Sequence, residues 1–258
     1  MVRGLLASRG LLGLLGLAAL FEAVPRSGLV APRYLPPLSE IGWALGKEAV
    51  TAAFWRALGD TVLAWALGLA IAVAAGVIVG VLLGSVEVLR LLTASTIEFL
   101  RPIPSVALIP LVIIVYGGNI SSTLVLVVYA SFWQVLIQVL HGVHDVDPVA
   151  RETARSYGLS RWAQVRHVTW PTALPYVLTG VRLAAAVALI LAITAELVIG
   201  SPGLGSAIGL AQSGGAVATT YAIVLVTGLL GVGVNVAFRT LERRVLWWHT
   251  SVRTELAL

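Results

Sequence analysis

Long apolar runs alternate with short polar ones along the whole chain. A membrane-spanning helix needs about 20 mostly apolar residues. The first such run extends from Gly10 to about Val24, after Arg3 and Arg9. Its basic flank also suits a cleaved signal peptide, but no small-x-small cleavage site follows, so a retained first helix is expected. Residues 61–86 carry no charge and form the second span. Residues 102–140 are uncharged too, but Gly117-Gly118-Asn119 divides them. The third helix is expected to end near Tyr116 and the fourth to run from about Ser121 to Leu140. The fifth span covers roughly 172–198 and the sixth about 217–238. Between these two, residues 199–216 are uncharged but rich in Gly, Ser and Pro. That composition suits a buried loop or re-entrant turn rather than a lipid-facing helix.

Within the second span, Gly68, Ala72, Gly76, Gly80 and Gly84 recur at every fourth residue. Small residues at this spacing let two helix backbones approach closely. Residues 25–60 are polar, and Pro25, Pro32, Pro36 and Pro37 keep the first part extended. Over residues 38–58, Leu38, Ile41, Leu45, Ala49, Ala52 and Trp55 fall at helical spacing, which predicts one amphipathic helix on the membrane surface.

Composition agrees with this pattern. Of 258 residues, 59% are hydrophobic and 11% charged, against roughly 25% charged in a soluble domain. The mean hydropathy is +0.96. The fold class is therefore an all-α polytopic membrane protein with about six transmembrane helices, in a single transmembrane domain over residues 1–258.

The net charge of +5 does not point to nucleic acid, because the basic residues lie between apolar runs and read as topology signals. Placing both termini in the cytoplasm leaves only Arg26, Arg33, Lys47 and Arg56 outside, in the extracytoplasmic segment 25–60. Arg90, Arg101, Arg151, Arg155, Arg161, Arg166, Arg239, Arg243, Arg244 and Arg253 then lie inside with Arg3 and Arg9. Trp162, Trp170, Trp247 and Trp248 fall at the inner interface, and Trp43 and Trp55 at the outer one. The localisation expected is a cell membrane crossed several times, with both termini inside.

No cysteine is present, which excludes disulfides, thiolate zinc sites and cysteine nucleophiles. His141 and His144, with Asp145 and Asp147, have a spacing that a metal could use, but the plainer reading is a polar helix end leaving the membrane. No metal site is assigned.

The 141–171 segment is the most polar in the chain, and its punctuation is clear. Asp147-Pro148 opens a helix as N-cap and first helical residue. Gly158 closes it as a left-handed C-cap. A second short helix is expected over roughly 161–168, with Pro171 opening the fifth span. Small side chains at Ala150 and Ala154 leave room for a partner, and Glu152 and Arg155 offer it charge pairs.

This segment resembles the EAA loop of binding-protein-dependent ABC importer permeases. Their pattern is Glu-Ala-Ala, three residues, Gly, nine residues, Ile-x-Leu-Pro. Here it reads Glu152-Thr153-Ala154, then Gly158, then Val168-Thr169-Trp170-Pro171. Thr153, Val168 and Trp170 depart from it. The likeness extends over about residues 35–240. Phe99-Leu100-Arg101-Pro102-Ile103-Pro104, Ala107-Leu108-Ile109-Pro110-Leu111, Ala195-Glu196 and Gly203-Leu204-Gly205 resemble the sulfonate, taurine, nitrate and bicarbonate branch.

The resemblance implies a type I importer (MetI-like) permease fold. It implies a second permease copy forming a homodimer, two cytoplasmic ATPase subunits and an extracytoplasmic solute-binding protein. The coupling residues would be Ala150, Arg151, Glu152, Ala154, Arg155, Tyr157 and Gly158. The chain itself holds no cofactor and is not catalytic; ATP and magnesium would belong to the partner ATPase. A P-loop needs Gly-x4-Gly-Lys-Ser/Thr, and the one lysine, Lys47, is followed by Glu48.

Polar groups inside the spans are candidates for the solute path. Gln134 and Gln138, four residues apart, either bond between helices or line the path. Glu196 either anchors the Gly203 loop or helps to gate the path, and Arg182 snorkels to the inner interface. A secondary transporter or channel is the alternative, but no convincing internal repeat spans the six helices. A membrane enzyme would need a nucleophile or metal cluster, and no HExxH or Gly-x-Ser-x-Gly occurs. The solute expected from the branch is a small anion, with aliphatic sulfonates or taurine first and nitrate, bicarbonate or a vitamin precursor also open.

Overall fold

The computed structural model describes the backbone of residues 2–247 and the side chains of residues 12–247. The placements expected for Trp248 and Arg253, and for the side chains of Arg3 and Arg9, lie outside these described residues. Every described element is helical. Helix α1 (Val2–Arg26) covers the first apolar block and takes in Pro25, which was expected to hold the chain extended; in the last turn the proline costs the helix one amide and the chain leaves it after Arg26.

Helix α2 (Leu38–Ala49) follows Pro37, whose ring has no acceptor atom to cap the helix amides. Glu22 of α1 supplies the cap instead. Its Oε2 accepts from the Ser39 amide at 2.9 Å, and its Oε1 from the Ser39 hydroxyl at 3.0 Å. The apolar side of α2, Ile41 and Ala44, is buried against Ala222.

The single amphipathic helix expected over 38–58 is corrected here. The chain breaks at Val50 and Thr51, and α3 (Ala52–Ser85) begins nine residues before the expected second span. Thr51 makes the break: its Oγ1 accepts from the Phe54 amide at 3.2 Å and donates to the Glu48 carbonyl at 2.8 Å. A hydroxyl that caps the next helix competes with continuing the previous one. Trp55 braces the corner by donating to the Ala49 carbonyl at 2.8 Å.

The third span is also corrected. It is a pair, α4 (Glu87–Leu100) and α5 (Ile109–Tyr116), joined through a 3₁₀ turn at Ser105–Leu108 and bent by 79°. Pro102 and Pro104 remove backbone donors and hold their predecessors out of the helical region, so a straight helix cannot pass. The break at Gly117-Gly118-Asn119 stands where expected, with Gly117 at φ +76°. Asn119 caps α6 (Ile120–His144), its Oδ1 accepting from the Ser121 amide at 2.9 Å.

Helix α6 is the axis of the core. Leu126, Val127, Val135, Leu136 and Val139 are almost wholly buried. Its neighbour α3 runs parallel to it, with Gly68, Gly76, Gly80 and Gly84 set opposite Val127, Val135, Val139 and Val143 in turn. A Cβ at Gly80 would stand 2.7 Å from the Val139 side chain. The glycine stripe is therefore a packing seam. The last turn of α6 carries His141 and His144.

Helix α7 (Pro148–Ser156) and the short α8 (Arg161–Gln164) follow. The expected separation of the second short helix from the fifth span is not found. From α8 the chain passes through a π turn at Val165–Thr169 into α9 (Trp170–Ile199), one continuous helix over Arg161–Ile199. The wider π turn, with Trp170 N–H donating to the Val165 carbonyl, admits Pro171 without a stop. The facing side of α9 is an alanine stripe, Ala184, Ala185, Ala188, Ala192 and Ala195, all fully buried.

Gly200 at φ +78° ends α9. The segment expected as a buried loop or re-entrant turn is built around a helix, α10 (Leu204–Ser213), whose Leu204 is fully buried. Helix α11 (Val217–Val245) closes the described chain and runs past the expected end at residue 238. Arg182 does not rely on solvent alone: its Nη1 lies 3.0 Å from Glu242 Oε2 on that extension. Four described helices, α3, α6, the α8–α9 helix and α11, are long and apolar enough to cross a membrane, and the bent α4–α5 pair makes a fifth candidate.

Candidate functional site

The polar segment between α6 and α9 holds its shape through both ends. Asp147 Oδ1 accepts from the Val149 amide at 2.8 Å, and Pro148 enters with its φ preset. At the far end the Gly158 amide donates to the Arg155 carbonyl at 2.9 Å, and the Leu159 amide to the Ala154 carbonyl at 3.1 Å. These two bonds are the Schellman pair, and they require the left-handed residue supplied by Gly158 at φ +73°. The space around Gly158 is open, so backbone conformation, not room, selects glycine.

The connection to α8 is short and bonded as well. Ser160 Oγ accepts from the Ala163 amide at 3.3 Å, and Gln164 Nε2 donates to the Leu159 carbonyl at 2.8 Å. Two ties fasten this unit to the spans. Arg151 Nη2 donates to the Val143 carbonyl of α6 at 3.3 Å. The Tyr176 hydroxyl of α9 donates to Asp145 Oδ2, just after α6, at 2.8 Å.

Helix α7 thus stands as a short rod with one free side. Val149 is 67% and Tyr157 81% exposed, and Ala150, Glu152 and Arg155 are exposed as well. Ala154 differs from expectation: at 7% exposure it is turned onto its own chain, and its small side chain lets α7 seat there instead of making room for a partner. Arg155 shares its face with Arg151, and both line a cavity beside α4 and α8.

The three polar residues considered for the solute path are not brought together. Gln138 lines a cavity of about 600 Å³ with Thr172, Pro175, Tyr176 and Thr179. Gln134, one turn earlier and half-buried, is not part of that lining. Gln138 packs beside Gly180, and Glu196 lies roughly 24 Å further along α9.

Glu196 is fully buried. Its Oε2 accepts from Thr61 Oγ1 at 2.8 Å and from the Gly205 amide at 3.0 Å. Thr61 Oγ1 in turn accepts from the Leu204 amide at 2.8 Å. A Cβ at Gly203 would overlap the carboxylate, and one at Gly205 would overlap the Ile193 carbonyl. The two glycines therefore let the α9–α10 turn close directly over the acid. A second tie joins Thr123 of α6 to Ser201, hydroxyl to hydroxyl, at 2.7 Å. Sequence reasoning does not single out Thr61, Thr123 or Ser201. Their only signal is a hydroxyl in an uncharged stretch, which becomes informative once a partner from another helix is known.

Residues 72–247 match the family described as binding-protein-dependent transport system inner membrane component. The taurine transport system permease protein TauC of Escherichia coli is 31% identical, over 87% of this chain and 84% of that protein. The putative aliphatic sulfonates transport permease protein SsuC of Bacillus subtilis is 27% identical, over 94% of this chain and 88% of that protein. Among solved structures, an inward-facing form of the MetNI methionine ABC transporter superimposes with a TM-score of 0.64 at 18% identity, over 75% of this chain and 96% of that one. An amino acid ABC transporter also reaches 0.64, at 23% identity, over 78% of this chain and 97% of that one. These two establish the MetI-like fold. The chain belongs to the family of binding-protein-dependent transport system inner membrane components, and is a multi-pass permease of an ABC importer.

Proposed function

We propose that this permease forms the path for a small anion, with an aliphatic sulfonate or taurine as first choice, and that α7 is the coupling helix through which separate ATPase subunits drive it. The observation that carries the coupling role is α7 itself. It is capped at both ends, tied to α6 through Arg151, and free along the side that bears Val149, Glu152 and Tyr157. A rod held in this way passes a push to α6 and α9 instead of absorbing it in a flexible loop.

The solutes named for the taurine and aliphatic sulfonate relatives support the solute class. A bicarbonate transport permease from Synechococcus elongatus, 28% identical over 75% of this chain, keeps inorganic anions within it. Nitrate and vitamin precursors remain the further candidates. Two copies of the chain would enclose the path, an extracytoplasmic binding protein would deliver the solute, and both termini would face the cytoplasm of a bacterial inner membrane. Gln138 is the candidate contact on the path, with Gln134 one turn away. Glu196, sealed from solvent and held by Thr61 and Gly205, acts on the path as the clasp of the α9–α10 turn, not as a ligand.

Reconstitution tests this reading. The chain with its ATPase and binding protein in vesicles is expected to take up taurine or an alkanesulfonate only with ATP, and Glu152→Lys is expected to abolish uptake without loss of membrane insertion. Uptake driven by a proton gradient with no ATPase present, or unchanged transport by Glu152→Lys, overturns it.

A further inference from the structure

A cavity of about 380 Å³ opens between α7, α8 and the turn from α3 to α4. Arg151, Arg155 and Arg161 all line it. Among the described residues no carboxylate lies within ion-pair distance of any of the three. The one acid in the lining, Glu87, has Arg90 Nη2 3.8 Å from its carboxylate. Arg151 spends one nitrogen on the Val143 carbonyl, which orients the group without neutralising it. Three like charges around one concavity repel each other unless an anion sits among them.

Beside the arginines, Ser85, Gln164 and Thr169, the cavity also has apolar surface. Val86 and Val168 belong to the lining. Beyond Val86, α4 exposes Val88, Leu91 and Leu92 at 65, 66 and 72%. Trp162, next to Arg161, is 73% exposed, as suits a ring at the membrane interface. Arginines next to exposed apolar side chains are what a lipid needs for its phosphate and its acyl chains.

We infer that this cavity is a binding site for the phosphate headgroup of an anionic lipid, held by Arg151, Arg155 and Arg161 at the foot of α7. The lipid fills the gap between α7 and α4 and stiffens the seat of the coupling helix. The inference rests on the reading of α7 as lying at the inner membrane face, but its test does not depend on transport or on orientation.

The full chain, purified in mild detergent, is titrated with phosphatidylglycerol, phosphatidylcholine or inorganic phosphate and followed by native mass spectrometry. Phosphatidylglycerol is expected to be retained in preference to phosphatidylcholine. Loss of each arginine is expected to weaken it roughly fivefold, so that Arg155→Gln with Arg161→Gln weakens it about 25-fold. Arg33→Gln, in the α1–α2 connection, leaves binding unchanged. Arg161→Lys, which keeps the charge, holds most of the binding and guards against a folding artefact in the double variant. Equal retention of both lipids, or full retention by the double variant, overturns the site. Displacement of the lipid by inorganic phosphate at equal concentration overturns the lipid assignment in favour of a free-anion site. Loss of the lipid when the ATPase binds overturns it in favour of acidic side chains on that subunit.

Discussion

Thr61 Oγ1 donates to Glu196 Oε2 at 2.8 Å across 135 positions of sequence, and both side chains are fully buried. The same threonine oxygen accepts the Leu204 amide, and the same carboxylate oxygen accepts the Gly205 amide. One hydroxyl and one acid thereby fasten α3, α9 and α10 at a single point. Removing either member leaves buried donors or acceptors unsatisfied, at about 1–3 kcal/mol each. Thr61→Val is expected to lower the unfolding temperature of the detergent-solubilised chain, and Glu196→Leu to lower it further. Glu196→Gln, which keeps an acceptor oxygen, falls between wild type and Glu196→Leu. Melting curves of the three variants check the order.

The α3–α6 seam predicts a compensated pair. Gly80→Ala places a methyl 2.7 Å from the Val139 side chain. Overpacking of this kind costs about 1–3 kcal/mol. Val139→Ala alone leaves a cavity, whereas Gly80→Ala with Val139→Ala exchanges one volume for the other. The double variant is expected to be more stable than the sum of the two single losses. A double-mutant cycle on thermal unfolding measures the coupling.

Gly158 separates coupling from folding. Gly158→Ala meets no neighbour, so its cost is the left-handed backbone alone, about 1–2 kcal/mol. It is expected to keep reduced uptake. Gly158→Pro cannot adopt φ +73° and removes the amide that bonds the Arg155 carbonyl. It is expected to insert normally and to lose uptake entirely. Comparing insertion by protease protection with uptake in vesicles separates the two effects.

The ion pair of Arg182 and Glu242 joins α9 to the C-terminal extension of α11, with side-chain exposures of 41% and 21%. Partly solvated, it is expected to contribute no more than about 1 kcal/mol. Arg182→Gln and Glu242→Gln each lower stability slightly, and the charge-exchanged double variant recovers part of the loss. Melting at low and high salt checks this, since screening shrinks the effect.

The apolar runs, the cap at Asp147, the stop at Gly158 and the break at Gly117 were legible in the sequence, though not where each span begins or bends. Each is a local property: a residue's own backbone preference, or its transfer free energy, acts over a few neighbours. The glycine stripe was legible as a seam for the same reason, although its partner was not. Valines 127, 135, 139 and 143 look like any other apolar residues until α3 is laid beside them.

What failed to show in the sequence depends on contacts between distant segments or on balanced local choices. Thr51 splits an amphipathic pattern that would otherwise continue, and the π turn before Trp170 absorbs Pro171, which reads as a boundary. Ala154 faces its own chain because α7 is seated through Arg151 and the Schellman turn. The sequence alone determined that the chain is a helical membrane protein with a stiff polar segment, since hydropathy and capping are written residue by residue. Only the tertiary structure decided that Thr61 and Glu196 meet and that three arginines converge on one cavity, because such partners are set by the packing of helices far apart in the chain.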